Sequence, residues 1–121
     1  MTFWSGESAS AMISGFTITN GLGASGSTDD DSTGGGVQVS NASPTIVGNR
    51  IVWNSARAGA GIRVYGARAA PEVTQNLIEE NTASGTGGGV YLVTDSSGYI
   101  ANTTSVAKQL SVTRRSGHAA R

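Results

Sequence analysis

The chain of 121 residues contains no cysteine, so disulfide bonds, thiolate chemistry and cysteine-ligated zinc are all excluded. It is also poor in charge, because only 13% of the residues are Asp, Glu, Lys or Arg, and 8 basic residues balance 8 acidic ones. Bulk attraction to nucleic acid is therefore not expected, and no nucleic-acid partner is predicted. A chain of this length supports one modest domain.

Long apolar runs are absent as well, and none approaches the roughly 20 residues of a membrane span. The first residues, MTFWSGES, lack the basic start and the apolar stretch of a secretory signal, so we predict neither a membrane span nor a signal peptide. The chain has one histidine, His118. A Ser-His-Asp triad is therefore not expected, because His118 follows the last recognisable repeat.

Glycine is abundant, and it marks a repeat. GGGVQV from Gly34, GAGIRV from Gly59 and GGGVYL from Gly87 share one pattern and recur after 25 and 28 residues. PTIVGNRIVWN from Pro44 matches PEVTQNLIEEN from Pro71 at a spacing of 27 residues. A fixed period between 20 and 50 residues indicates a solenoid.

The same pattern extends in both directions. ISGFTITNG from Ile13 matches it 33 residues upstream, and GYIANTT from Gly98 repeats it weakly. We therefore predict that residues 1–104 form about three to four coils, with a long loop at 22–33, and that residues 105–121 form a non-repeat, irregular tail.

Each repeat consists of apolar, β-branched runs of three to five residues separated by Gly, Asn, Ser and Pro. Such runs predict short strands and leave no room for a helix. The predicted fold class is all-β, a parallel solenoid whose coils stack at about 4.8 Å. Alternation along a strand then directs Val37, Ile62 and Val90 inward as one column.

Asparagine recurs at two positions of the repeat. The spacing places Asn49 over Asn76 over Asn102, and Asn54 over Asn81. We expect these residues at bends, where Asn tolerates positive φ and its amide bonds the equivalent amide one coil away. Their predicted role is structural.

The residues between the inward ones form a candidate ligand surface. If Val37 points inward, Gln38, Arg63 and Tyr91 form an outward column, with Tyr65 in the next column beside it. A guanidinium with tyrosine rings can pack on a sugar face and bond its hydroxyls. We call Gln38, Arg63, Tyr65 and Tyr91 the strand-face stripe. The alternative is that these residues simply occupy exposed β positions.

Other candidate sites have weaker signals. Asp29, Asp30 and Asp31 lie in the long loop, where carboxylates can bind calcium or form a solvated turn, and no other cofactor is predicted. Glu79 and Glu80 are neighbours in sequence, and neighbouring strand residues point to opposite faces, so a shared catalytic role is not expected. Trp53 is read as either a groove aromatic or a residue that packs in a bend, and we expect the second.

Three sets of motifs, GFTITNG from Gly15, the GGGV/GAGI/GGGV series and the NRIVWN and NLIEEN pair, resemble the right-handed parallel β-helix repeat proteins of the pectate-lyase-like group. The resemblance covers roughly residues 11–102 and implies a right-handed parallel β-helix with an extracellular or cell-surface location. Members of this group usually have more coils, so we expect the chain to be a fragment of a longer β-helix.

Two functions remain open. The first is a non-catalytic scaffold or carbohydrate-binding, adhesive segment of a secreted or cell-surface β-helix protein, with a polysaccharide or surface glycan bound at the strand-face stripe. The alternative is a fragment of a polysaccharide lyase or glycoside hydrolase whose catalytic coils lie outside this chain. We assign no catalytic residue and leave open whether the parent is an enzyme. Self-association through the open coil ends is expected because exposed strand edges can pair.

Overall fold

A computed structural model of the chain describes residues 1–23, 34–86, 88–93, 96, 98–101, 104–106 and 112–115. Within these ranges every regular element is a β-strand, and the paired strands are parallel. The same ranges contain no helix long and apolar enough to cross a membrane. The predicted all-β parallel solenoid is confirmed.

The chain adds one strand to each of three sheets on every turn, and the strands of successive coils pair in parallel. The first coil contributes three strands: β1 (Thr2–Phe3), β2 (Met12–Ser14) and β3 (Thr17–Thr19). The second contributes β4 (Val37–Ser40), β5 (Thr45–Val47), β6 (Arg50–Val52) and β7 (Ser55–Ala58). The third contributes β8 (Ile62–Tyr65), β9 (Glu72–Thr74), β10 (Leu77–Glu79) and β11 (Thr82–Thr86). The fourth contains β12 (Val90–Val93), β13 (Tyr99–Ala101) and β14 (Thr104–Val106), followed by β15 (Val112–Arg115).

Equivalent strands stack into sheets. The first sheet has the order β1-β4-β8-β12-β15, the second β2-β5-β9-β13 and the third β3-β6-β10-β14, while β7 and β11 form a short fourth sheet. The register agrees with the sequence repeat, since Ile62 pairs with Val37 on one side and Val90 on the other. A register shift between Ala83 and Thr86 in β11 absorbs the one-residue change of period from 27 to 28.

The core is the space enclosed by the sheets. Val37, Ile62 and Val90 line it as predicted, each at most 2% exposed. Burying such a side chain contributes roughly 1.5–3 kcal/mol, so stacked columns of them supply most of the stability. Glycine permits the close stacking of the backbone beside this core. A Cβ on Gly61 would lie 2.5 Å from the Gly89 carbonyl oxygen.

The end of the chain differs from the prediction. Residues 105–121 were expected to be irregular, yet Thr104–Val106 pairs with β10 and Val112–Arg115 pairs with β12. That expectation is wrong for these strands. Parallel pairing uses backbone N–H and C=O groups, so a segment without the repeat's side chains can still add to an open sheet edge.

Candidate functional site

The residues of the strand-face stripe pair in the predicted register, but three of the four are buried and not exposed to solvent. Arg63 pairs with Gln38 in β4 and with Tyr91 in β12, so the three residues form one column. Gln38 is 7% exposed, and Arg63 and Tyr91 are each 1% exposed. The prediction that these three side chains face solvent is therefore wrong, and only Tyr65 remains half-buried.

The column is buried because the preceding segment of each coil folds over it. The Gly59 backbone lies directly on the Arg63 stem, since a Cβ on Gly59 would be 2.6 Å from the Arg63 Cβ. Ala58 packs against Tyr91, with Tyr65 beside it. The Gly34 N–H donates to Gln38 Oε1 at 2.7 Å. The outer face of the first sheet is therefore a second buried layer.

The ring of Tyr65 lies against the buried arginine. The Arg63 guanidinium carbon lies 5.1 Å from the Tyr65 ring centroid, which is cation-π distance. A guanidinium that is already buried against a ring is poorly placed to bond the hydroxyls of an incoming sugar. The strand-face stripe consequently does not form an open ligand groove.

The predicted metal site cannot be compared with the structure. Asp29, Asp30 and Asp31 lie outside the described residues, so calcium binding by this loop stays a prediction. Among the residues that are described, no group of three or more His, Cys, Asp or Glu side chains could hold a metal ion.

The two asparagine positions form ladders inside the bends, as predicted. Asn49 and Asn76 lie one coil apart, as do Asn54 and Asn81, and all four are at most 3% exposed. The Asn54 Nδ2 donates to Asn81 Oδ1 at 3.0 Å, and the Asn49 Nδ2 donates to Asn76 Oδ1 at 3.2 Å. Amide-to-amide contact between coils is confirmed.

Each amide also forms hydrogen bonds with two backbone groups of the preceding coil, one N–H and one C=O. Asn54 Oδ1 accepts the Gly21 N–H at 2.8 Å, and its Nδ2 donates to the Ile18 carbonyl at 3.0 Å. Asn81 makes the equivalent pair of bonds to the Asn54 N–H and the Ile51 carbonyl. The bonds to the neighbouring backbone are directional, because each amide makes them to the coil before it, whereas the Nδ2 groups of Asn49 and Asn54 also donate to the amide of the next coil. The ladder satisfies backbone groups that the bends would otherwise leave buried without partners.

The positive φ at the bends belongs to the residue before each ladder Asn, so that detail of the prediction is wrong. Gly48 (φ 68°) and Gln75 (φ 56°) precede the first ladder, and Trp53 (φ 56°) and Glu80 (φ 53°) precede the second. The left-handed residue makes the turn, and the next residue is thereby directed inward. Asn102, the predicted third rung, lies outside the described residues.

Trp53 stands at an exposed corner of the solenoid. It is 60% exposed, so the expected packing in a bend is wrong. The register of β3, β6 and β10 places Asn20 at the same corner one coil before it and Glu80 one coil after it. All three residues have φ between 53° and 60°. We call Asn20, Trp53 and Glu80 the left-handed corner.

An ion pair lies beside the left-handed corner. Arg50 Nη2 is 2.9 Å from Glu79 Oε2, and Arg50 Nε donates to the same oxygen at 3.0 Å. The Arg50 guanidinium carbon is 5.8 Å from the Trp53 ring centroid. This group brings a guanidinium, a carboxylate and an exposed aromatic ring together at one corner. A sequence signal existed, because Trp53 falls at the repeat position that is Asn20 in the first coil.

A shallow hollow of about 320 Å³ lies beside β7 and β11. Arg57 is its only charged lining residue, and the others are small, neutral or aliphatic. It therefore offers no carboxylate for acid-base chemistry.

Comparison with known proteins gives one result. The model of a family described as a right-handed beta helix region matches residues 3–106 of the chain. No curated protein and no solved structure matches it.

Proposed function

The chain belongs to the right-handed β-helix family, and we propose that it acts as a non-catalytic, rigid scaffold segment of a secreted or cell-surface protein. The observation that carries this proposal is the pair of asparagine ladders. The buried polar side chains at the bends are used to hold successive coils together, with their amide groups bonded to neighbouring coils.

The exposed carboxylates support the same proposal. Glu79 is committed to its ion pair with Arg50, and Glu80 lies at the left-handed corner. Hydrolysis of a glycosidic bond needs two carboxyl groups on either side of that bond. Neither these two residues nor the hollow beside β7 provides such a facing pair in the part of the chain that the structure describes.

A polysaccharide turnover assay tests the proposal. The folded chain is incubated with pectate, alginate and neutral plant polysaccharides, with calcium and with a chelator. New reducing ends report hydrolysis, and ultraviolet absorbance of unsaturated products reports lyase activity. We expect no product above the buffer control in any of these mixtures.

The contrary outcome identifies an enzyme. Turnover that persists in the purified chain and disappears in Glu79→Gln or Glu80→Gln would replace the scaffold with a polysaccharide hydrolase or lyase. Turnover abolished by the chelator alone would direct attention to the loop of Asp29, Asp30 and Asp31.

Hydrogen exchange provides a positive test of rigidity. The Asn49 and Asn54 N–H groups are each held by the amide of the next coil at 2.9 Å and lie in buried bends. We expect both to exchange only through global unfolding, with the slowest amides of the core. Fast exchange at these positions in the native chain would contradict a rigid scaffold.

A further inference from the structure

The fold requires a left-handed residue at position 53, but it does not explain why that residue is Trp. A bulky side chain at φ 56° occupies a backbone region that L-residues other than Gly, Asn and Asp adopt at a cost. Burial of the indole would offset that cost, but the residue is 60% exposed. Asn20, which makes the same turn one coil earlier, is a residue that tolerates this conformation.

Hydrogen-bonding groups surround the exposed indole. Asn20 and Glu80 occupy the left-handed corner one coil before and one coil after Trp53, at the coil spacing of about 4.8 Å. The Arg50 guanidinium lies over one face of the ring, 5.8 Å from its centroid, and is oriented by Glu79. An amide and a carboxylate therefore occupy the neighbouring positions of the corner, and a guanidinium lies over one face of the ring.

We propose that the left-handed corner, with Arg50, binds a neutral sugar residue of a glycan. The apolar face of a sugar ring stacks on an aromatic side chain, and its hydroxyls take hydrogen bonds from polar groups at the edge of that ring. This ligand class uses both the exposed indole and the polar side chains around it. The site is separate from the scaffold role and does not depend on it.

The net charge of Arg50, Glu79 and Glu80 favours a neutral sugar over an acidic one. Arg50 carries one positive charge, and Glu79 and Glu80 carry one negative charge each, so the cluster has a formal net charge of −1. A uronate or sulfated sugar would meet a carboxylate at the corner and an arginine already engaged by Glu79. A neutral sugar has no such repulsion.

The surroundings disfavour a protein partner at the same place. Protein interfaces gain affinity from aromatic residues that lie in a water-excluding apolar surround, with charged residues depleted at the centre. Trp53 is instead flanked by Arg50 and by the exposed Asn20 and Glu80. A protein partner is one of the outcomes that the experiment can reveal.

Tryptophan fluorescence gives a direct readout, because the chain has two tryptophans, Trp4 and Trp53. In a Trp4→Phe background all indole emission comes from Trp53. We titrate this variant with oligosaccharides of neutral xylan, mannan and β-glucan, and with polygalacturonate oligomers. We expect saturable protection from acrylamide quenching with at least one neutral oligomer and none with the polyuronate.

Trp53→Asn is the decisive variant, because Asn fits the left-handed backbone and lacks the ring. We expect calorimetric affinity for the neutral oligomer to fall roughly tenfold or more in Trp53→Asn and to be unchanged in Trp4→Phe. The thermal unfolding midpoint of Trp53→Asn should equal or exceed that of the natural chain, which separates loss of binding from loss of fold.

Several results would overturn the proposal. If Trp53→Asn and the natural chain bind the neutral oligomer with equal affinity, the sugar does not bind at the left-handed corner. Tighter binding of polygalacturonate than of every neutral oligomer would contradict the charge argument. No protection of Trp53 by any saccharide in the folded Trp4→Phe chain, or protection by a protein alone, would exclude a sugar site. A lowered midpoint in Trp53→Asn would mean that the indole has a packing role instead.

Discussion

The outer face of the first sheet and the left-handed corner contain similar chemical groups in opposite environments. On the sheet face Arg63 lies 5.1 Å from the Tyr65 ring, and at the corner Arg50 lies 5.8 Å from the Trp53 ring. Arg63 is 1% exposed, whereas Trp53 is 60% exposed. The difference arises because β7 and Gly59 fold over the sheet face, and nothing in the described ranges folds over the corner.

This comparison teaches that pointing away from the core is not the same as facing solvent in this solenoid. Side chains beneath the covering segment are packed as a second layer and contribute to stability, because their contacts are shielded from water. Side chains at the corner make weak contacts because solvent screens their charges, and they are accessible to a ligand. Substitutions in the two regions should therefore have effects of different size.

The largest effect is expected from Tyr91→Ala. Removing a fully buried ring leaves a cavity under Ala58, so the free energy of unfolding should fall by about 3–5 kcal/mol. Urea denaturation followed by circular dichroism measures it. Tyr99→Ala is the matched control, because Tyr99 is 64% exposed, and it should change stability by no more than about 0.5 kcal/mol. Similar losses in both variants would mean that the sheet face is not covered.

Asn54→Ala should give the second-largest loss in the free energy of unfolding. This variant tests the residue directly after the exposed Trp53. It leaves the Gly21 N–H and the Ile18 carbonyl without their partners in a buried bend, so we expect a loss of about 2–4 kcal/mol. The control is Asn20→Gly, an exposed asparagine at a position where glycine adopts the same φ. If the two variants unfold at the same urea concentration, the ladder contributes nothing to coil stacking.

The smallest effect is expected from Glu79→Gln at the corner. The Arg50–Glu79 pair is partly exposed, with 46% and 21% of the two side chains accessible, and such pairs contribute about 0.2–1 kcal/mol. The loss should disappear at about 1 M salt, where exposed charges are screened. Thermal unfolding at low and high salt measures both quantities. A loss above that range that persists in high salt would show that the corner is as well shielded as the sheet face.

The sequence repeat predicted the strands and their register well, because equivalent positions of a solenoid must recur at the coil length. Ile13 pairs with Ile46 and Ile51 with Ile78, as their spacings indicated. The Asn54 and Asn81 ladder followed from the same spacing. The strand Val112–Arg115 was missed because its pairing to β12 uses backbone groups and leaves no repeat signature.

Exposure was harder to predict, and the errors at Gln38, Arg63 and Tyr91 have one cause. Alternation along a strand shows which side chains point away from the core, but it contains no information about segments that cross over that face later in the coil. Trp53 was misjudged for the opposite reason. Hydrophobicity suggested packing, whereas the left-handed turn at φ 56° directs Asn54 inward and leaves Trp53 outside.

The amino-acid sequence by itself determined the fold class, the coil length, the inward apolar columns and the two asparagine positions, since each depends on periodicity alone. Tertiary structure decided which outward residues are covered, which bend residue has the positive φ, and where aromatic, cationic and acidic groups meet at a corner. Those features depend on contacts between segments of different turns, and a contact between segments leaves no regular spacing in the chain.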